Sequence, residues 1–290
     1  MLHMKYTKSL YADDQFAVRS MPHFTPVLSR SSSPVRRIMK YVLYDILQNR
    51  IVIAYLFFLL VVTAGLFNIS DNPSKGTISV LNIVLIVSPL VSIVFATIHF
   101  YNAYEFIELM AAQPIRRSAI LWSEYLGVGL ALSAAVLVGI GIPVAIFAAT
   151  YLSAWAIVGA ALGLTWVFTG IALLSAVLTR DKAKGIGVAL MLWFFFSLLY
   201  DALVLMLMFG LSDYPLEKLM LALVALNPID LARVAVLLQM DVSALMGYTG
   251  ALFRDFLGTS WGIMSAVALL TLWIGVPLWA ALRVFRKKDL

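Results

Sequence analysis

The sequence predicts an all-α integral membrane protein with six transmembrane helices and both termini in the cytoplasm. Three observations predict it. Of its 290 residues 62% are hydrophobic and only 12% charged, with a mean hydropathy of +0.96; average soluble domains carry about 25% charged residues. The apolar residues fall into six blocks, near 51–67, 78–99, 126–150, 154–178, 185–209 and 261–282, each close to the roughly 20 residues that a helix needs to cross a bilayer. Finally, the basic residues crowd the ends of these blocks on one side. With the N-terminus inside, 17 of the 21 lysines and arginines are cytoplasmic, and only Lys75, Lys218, Arg233 and Arg254 lie outside. That asymmetry sets the orientation and explains the net charge of +6 without any nucleic acid. The absence of cysteine excludes disulfides and thiolate metal sites.

Taken in order, residues 1–38 lack the apolar core of a signal peptide and show no helical period. They are expected to be a disordered extension or a product of start-site choice, leaving one transmembrane domain over 39–290. From Met39, the stretch MKYVLYDILQNR carries Tyr41, Val42, Tyr44, Ile46 and Leu47, an amphipathic face suited to the membrane surface. The first outer loop is NISDNPSKG and the second little more than TYLSA. Gly139, Gly141 and Pro143 are expected to kink the third span. Gly159 and Gly163 form a small-residue pair that lets membrane helices approach. The last outer loop, about 210–260, is long enough for structure of its own. In it, LNPIDLARVAVLLQM reads as a helix lying on the outer surface or dipping into it. Asn227 serves as N-cap, Pro228 stands at the first position, Asp230 favours the positive helix start, and Leu231, Val234, Ala235 and Leu238 line one stripe. Such a helix either packs on the bundle or offers a docking surface.

Between the second and third spans the chain turns polar, YNAYEFIELMAAQPIRRSAILWSEYLG. Phe106, Leu109 and Met110 share a helical face flanked by Glu105 and Glu108. Pro114 ends that helix, because the residue before proline disfavours α geometry. Ser118 is expected to cap the next helix, with Arg116 and Arg117 at the headgroups. A short amphipathic helix, a fixed elbow and a span can pass a push from a cytoplasmic partner into the bundle. An interfacial helix with snorkelling arginines is the competing reading.

Inside the membrane, Asp201 is an ionisable group for which a partner or a function is expected: it pairs with a neighbouring polar residue, bonds across a dimer seam or lines a pathway. Asn82 and His99 are weaker candidates, His99 lying near the cytoplasmic interface, where a histidine is unremarkable. Met191, Met206 and Met208 cannot converge on one span, so no metal site is expected. Tyr200-Asp201 supplies the YD of an intramembrane aspartyl protease, but no GxGD exists to supply the second carboxylate. The chain also lacks the phosphate loop G-x-x-x-x-G-K-[ST]. The inner elbow and outer loop have no counterparts in the other half, against the inverted repeats of many secondary transporters.

The pattern E-x-x-x-L-x-x-x-Q-P-I-x-R-x-x-I-L-x-S-E resembles the coupling-helix signature that follows the second span in ABC-2 type (type V) exporter permeases, with Glu105, Leu109, Gln113, Pro114, Arg117 and Ile120 at matching positions. Ile107 stands where that family usually has Gly, and Ser123-Glu124 replaces Gly-Lys, reversing a charge. The resemblance implies that Glu105, Glu108, Leu109, Gln113, Pro114, Arg116 and Arg117 couple to a separate cytoplasmic ABC ATPase dimer, which holds the ATP and Mg, while this chain binds no cofactor. It also implies pairing of two permease copies. GVALMLWFFFSLLYDALVLMLM (187–208), LNPIDLAR (226–233) and RVFRKKDL at the C-terminus resemble the permease subfamily that serves copper-sulfur site maturation of nitrous oxide reductase. That closer likeness implies a periplasmic β-helical partner, for which Asn227, Pro228, Asp230 and Arg233 are the candidate contacts. A general exporter of drugs, lipids or polysaccharides is the alternative.

Overall fold

The computed structural model of the chain describes residues 34–112, 115–179, 181–210, 217–240 and 247–287. All the regular structure among them is helical, and six helices are long and apolar enough to cross a membrane. The chain is a multi-pass membrane protein. Most of the extension expected over 1–38 lies outside the described residues, while 34–38 belong to the first helix.

Helix α1 (Pro34–Leu47) is amphipathic, but not along the face expected. Ile38, Val42 and Ile46, four residues apart, are buried against the third span, whereas Tyr41, Tyr44 and Leu47 face outward. Gly127 makes this packing possible, since a Cβ there would stand 2.5 Å from Val42 Cγ1. Asn49 then caps α2 (Arg50–Ile69), its Oδ1 accepting from the Ile51 amide at 2.9 Å. The first outer loop is shorter than expected. Asn72 accepts from the Ser74 amide and Pro73 opens α3 (Pro73–Asn102), so Lys75 and Gly76 are already helical.

After the short α4 (Tyr104–Ala111), α5 (Arg117–Phe147) forms the third span. It starts nine residues before the apolar block, which brings Glu124 inside. The kink expected from Gly139, Gly141 and Pro143 takes the form of a π turn over Leu137–Gly141. There Gly139 admits the first span so closely that a Cβ would meet Leu59 Cβ at 2.6 Å. Helix α6 (Leu152–Leu178) is the central post, with 78% of its most apolar stretch buried. It packs against α3 and α5, and its Thr165 and Thr169 hydroxyls donate back to carbonyls one turn earlier, satisfying groups that no water reaches. The small-residue pair is only half used: a Cβ on Gly163 would lie 2.5 Å from Leu270 of the last span, while Gly159 faces open space.

Helix α7 (Lys182–Gly210) is the fifth span, capped by Asp181 through the amides of Ala183 and Lys184 and interrupted by a π turn at Phe195–Leu199. Only 11% of its most apolar stretch is buried, the lowest share of the six. Next come α8 (Glu217–Ala225) and α9 (Pro228–Leu237), bent at 108° to one another. The last helix, α10, runs over Gly247–Lys287. At the α4 end of the bundle one apolar cluster, including Phe100, Ile107, Ile120, Val177, Leu282 and Phe285, ties α3, α4, α5, α6 and α10 together.

Candidate functional site

Two features stand apart from the apolar scaffold, one at each end of the bundle. The first is α4. Its single fully buried residue is Ile107, at 0% exposure in the apolar cluster. Phe106 and Leu109 are exposed at 46% and 68%, and Glu105 and Glu108 flank them in the open. The anchoring face is therefore Ile107 and not the Phe106-Leu109-Met110 face read from the sequence, of which only Met110 is partly covered. The residue that departs from the Gly of the related signature is the one that nails the helix down. Helix α4 joins α3 through Ala103 alone, whose amide donates to His99 at 2.9 Å and whose carbonyl accepts from Ile107 at 2.8 Å. The end of α3 is itself held, because Tyr101 bonds to Thr179 and Lys182 donates to Asn102 at 2.7 Å. The result is a short rigid helix presenting two large apolar side chains between two carboxylates.

Gln113 and Pro114 lie outside the described residues. Beyond them Arg116, with extended backbone, is the N-cap of α5 and offers no side-chain bond. Ser118 is therefore not the cap expected of it but sits within the first turn, because the helix opens at Arg117. Arg116 is exposed and Arg117 half-buried.

The second feature is the hairpin of α8 and α9. Its turn is pinned by three bonds to the flanking spans. Asn227, fully buried, donates to the Phe196 carbonyl at 3.1 Å. Trp273 of α10 donates to the Ala225 carbonyl at 3.1 Å, and the Tyr200 hydroxyl donates to that of Leu223 at 2.6 Å. Phe196 is 14 residues past Lys182, and Trp273 14 residues before Lys287. Both are thus about 21 Å along their helices from these lysines, so the turn of the hairpin packs against the middle of the fifth and last spans. Of the two roles the sequence allowed α9, packing on the bundle or offering a docking surface, its burial supports the first, with Leu231, Val234 and Leu238 buried and Ala232 and Val236 as well. The expected caps are present: Asn227 Oδ1 accepts from the Ile229 amide at 3.0 Å, and Pro228 is the first helical residue. The π turn in α7 contains Phe196, whose carbonyl serves the hairpin.

Asp201 of α7 forms one charged cluster with Asp230 and Arg233 of the hairpin. Arg233 Nη1 lies 3.4 Å from Asp201 and 3.2 Å from Asp230, and Asn227 donates to Asp230 at 3.0 Å. Asp201 thus has the neighbouring polar partner that was one of its open readings. It sits 19 residues past Lys182, about 28 Å along the helix. Arg233 and Asp230 are drawn into holding the hairpin. Pro228 is buried, so of the four candidate contacts for an outer partner Arg233 is the most open. Asn82 is exposed on the flank of α3 and does not join this cluster. Met191 and Met206 face outward on α7, 71% and 75% exposed.

One pair escaped the sequence reading. Glu124, 1% exposed, lies with Oε2 3.2 Å from His99 Nε2. The alignment is not that of a hydrogen bond, and neither carboxylate oxygen has a hydrogen-bond partner among the described residues. Two residues 25 apart on different spans carry no local signal of contact. The available sign was the carboxylate of Glu124 at a position where the related signature carries Lys.

Residues 57–290 match the family model described as "ABC-2 family transporter protein". The chain is 30% identical over 269 residues to the probable ABC transporter permease protein NosY of Pseudomonas aeruginosa, an alignment covering 86% of this chain and 96% of that one. It is 31% identical over 198 residues to the protein of the same description from Stutzerimonas stutzeri, covering 62% of this chain and 67% of that one.

Proposed function

The chain belongs to the ABC-2 transporter family as a permease subunit of an ABC transporter, and from that premise we propose that α4 is the element through which its ATPase drives it. Membership in the family implies the ATPase partner. The observation that carries the assignment of α4 is its two-sidedness: Ile107 is locked into a cluster shared with α3, α5, α6 and α10, while Glu105, Phe106, Glu108 and Leu109 stand open. A force applied to the open side is delivered to four helices at once. The charge asymmetry of 17 against 4 supports a cytoplasmic position for α4 and residence in the bacterial cytoplasmic membrane. ATP and Mg belong to the partner. Two copies of the chain pair, and the sparsely covered α7 is the span best suited to meet its equivalent.

The substrate reading follows the two relatives described as probable NosY permeases and the LNPIDLAR motif at 226–233. The chain serves copper-sulfur site maturation of nitrous oxide reductase, with the open edge of the α8–α9 hairpin facing a periplasmic β-helical partner. The test is affinity purification of the tagged chain from its own membranes in mild detergent, with co-purifying chains identified by mass spectrometry. The expected result is an ATPase together with a periplasmic β-helical protein. An ATPase alone points to a general ABC-2 exporter, and a folded preparation without any ATPase overturns the role given to α4.

A further inference from the structure

A half-open cavity of about 320 Å³ lies between α1, α3, α4 and α5, lined among others by Tyr41, Asp45, His99, Asn102, Phe106 and Glu124. Its floor carries Glu124, 1% exposed, with no hydrogen bond to either oxygen among the described residues. A buried carboxylate without hydrogen-bond donors is costly, and His99 Nε2, within ion-pair distance at 3.2 Å, makes no hydrogen bond to it. The two asparagine oxygens in the wall are already engaged. Asn49 Oδ1 caps α2, and Asn102 Oδ1 holds Lys182. Lys182 is spent on Asn102, and no ion pair joins it to Glu124 among the described residues. At the rim stand an exposed carboxylate, Asp45, and two exposed aromatic rings, Tyr41 and Phe106.

We propose that this cavity seats one basic side chain, an ammonium or guanidinium, supplied by the ATPase subunit that covers α4. The inference rests on the role given to α4 above. An anion is excluded by the two carboxylates. An apolar group would leave Glu124 unserved. A cationic head supplies the missing donors in charge-assisted form, and rings at a cavity mouth are favourable ground for a cation and its aliphatic stem. The occupant comes from the ATPase because Phe106 belongs both to the rim and to the open side of α4, where Glu105 and Glu108 add the same sign of charge. One basic partner surface answers all four carboxylates. Seated there, the side chain touches α3 through His99 and α5 through Glu124, so the partner grips two spans directly as well as α4.

The test reconstitutes the full chain with its ATPase in lipid nanodiscs and measures their affinity. Glu124→Gln is expected to weaken binding about thirtyfold or more, the effect of removing one member of a buried charge pair, and Glu124→Lys to weaken it further. A photoreactive phenylalanine analogue in place of Tyr41, an exposed site that leaves folding alone, is expected to cross-link to an ATPase segment bearing a lysine or arginine. Reversing that residue to Glu should restore binding to the Glu124→Lys chain. Unchanged affinity with Glu124→Gln, while Glu105→Lys with Glu108→Lys abolishes binding, overturns the cavity and leaves α4 standing. If neither variant set affects binding, both fall. Loss of bound phosphatidylethanolamine from the Glu124→Gln chain in native mass spectrometry, with ATPase affinity intact, also overturns the inference and makes the cavity a lipid headgroup site. If Glu124→Gln does not fold, the cross-link from position 41 decides alone: a product with the ATPase at a basic residue supports the seat, and its absence removes it.

Discussion

Arg233 stands between two carboxylates that would otherwise face each other, with Asp201 at 3.4 Å and Asp230 at 3.2 Å. The three do not contribute equally. Asp201→Asn leaves the Arg233–Asp230 pair whole and is expected to cost about 0.5 kcal/mol or less, the scale of a partly exposed ion pair. Arg233→Met leaves two acids together, one of them well buried, and is expected to cost about 1–2 kcal/mol, below the fully buried case because Arg233 is 38% exposed. Thermal unfolding in detergent should rank them in that order, and the reverse ranking would deny the cluster its structural role. At this scale the sequence exposed the groups but not their pairings. Asp201 stood out because an acid in an oily span is rare. Its partner was read as a contact for another protein, since Arg233 lies 32 residues away on a segment whose packing against the fifth span no local pattern reveals. The pairing of Glu124 with His99 was missed for the same reason: His99 was only a weaker candidate and Glu124 only a departure from the related signature until one is placed beside the other.

Helix α9 shows which features of an element are local and which are not. Its cap was legible from Asn227-Pro228-x-Asp230, because capping is settled within one turn. Its depth was not, because the three bonds that set it come from Phe196, Tyr200 and Trp273 on two other helices. Asn227→Ala is expected to cost about 2–3 kcal/mol, about 1 for the cap and the rest for a part-buried Phe196 carbonyl left unpaired. A cost no larger than an exposed cap deletion would mean that the turn of the hairpin does not pack against these spans. Helix α4 makes the matching point. Ile107→Ala removes a fully buried side chain, and about 2–5 kcal/mol is expected for such a truncation. Because the loss falls on the anchor and not on the open side, the ATPase should still bind while its hydrolysis becomes uncoupled from the permease. Parallel measurements of affinity and of permease-stimulated hydrolysis separate the two. Equal losses in both would place Ile107 in the docking surface instead. The anchor was misread because a helical period identifies a pair of faces without saying which one the rest of the bundle covers.

For the molecule as a whole, the six spans were legible to within a few residues at most ends, since bilayer thickness imposes a length that composition alone reveals. The exception is α5, whose first turns, from Arg117 to Tyr125, carry polar and charged residues and extend the third span nine residues below its apolar block. The two π turns were not legible, being adjustments of one helix to its neighbours. The sparse cover of α7 gives a further prediction. Cysteines introduced singly at Met191 and at Met206, both outward on that span in a chain otherwise free of cysteine, should form a disulfide between two copies in native membranes at one position or both. Absence of cross-linked dimer at either, with cross-linking at Ile53 or Phe57 of α2 instead, would move the seam to the first span. The hairpin also constrains the order of synthesis. Of the bonds that hold its turn, the one from Trp273 comes from a helix that follows the hairpin in the chain. Until that helix leaves the ribosome, the Ala225 carbonyl lacks its donor and the hairpin has no closed berth, so the hairpin closes only after the sixth span is released into the bilayer. A chain stopped short of Trp273 would carry five finished spans and an unberthed sixth element, a ready mark for membrane quality control.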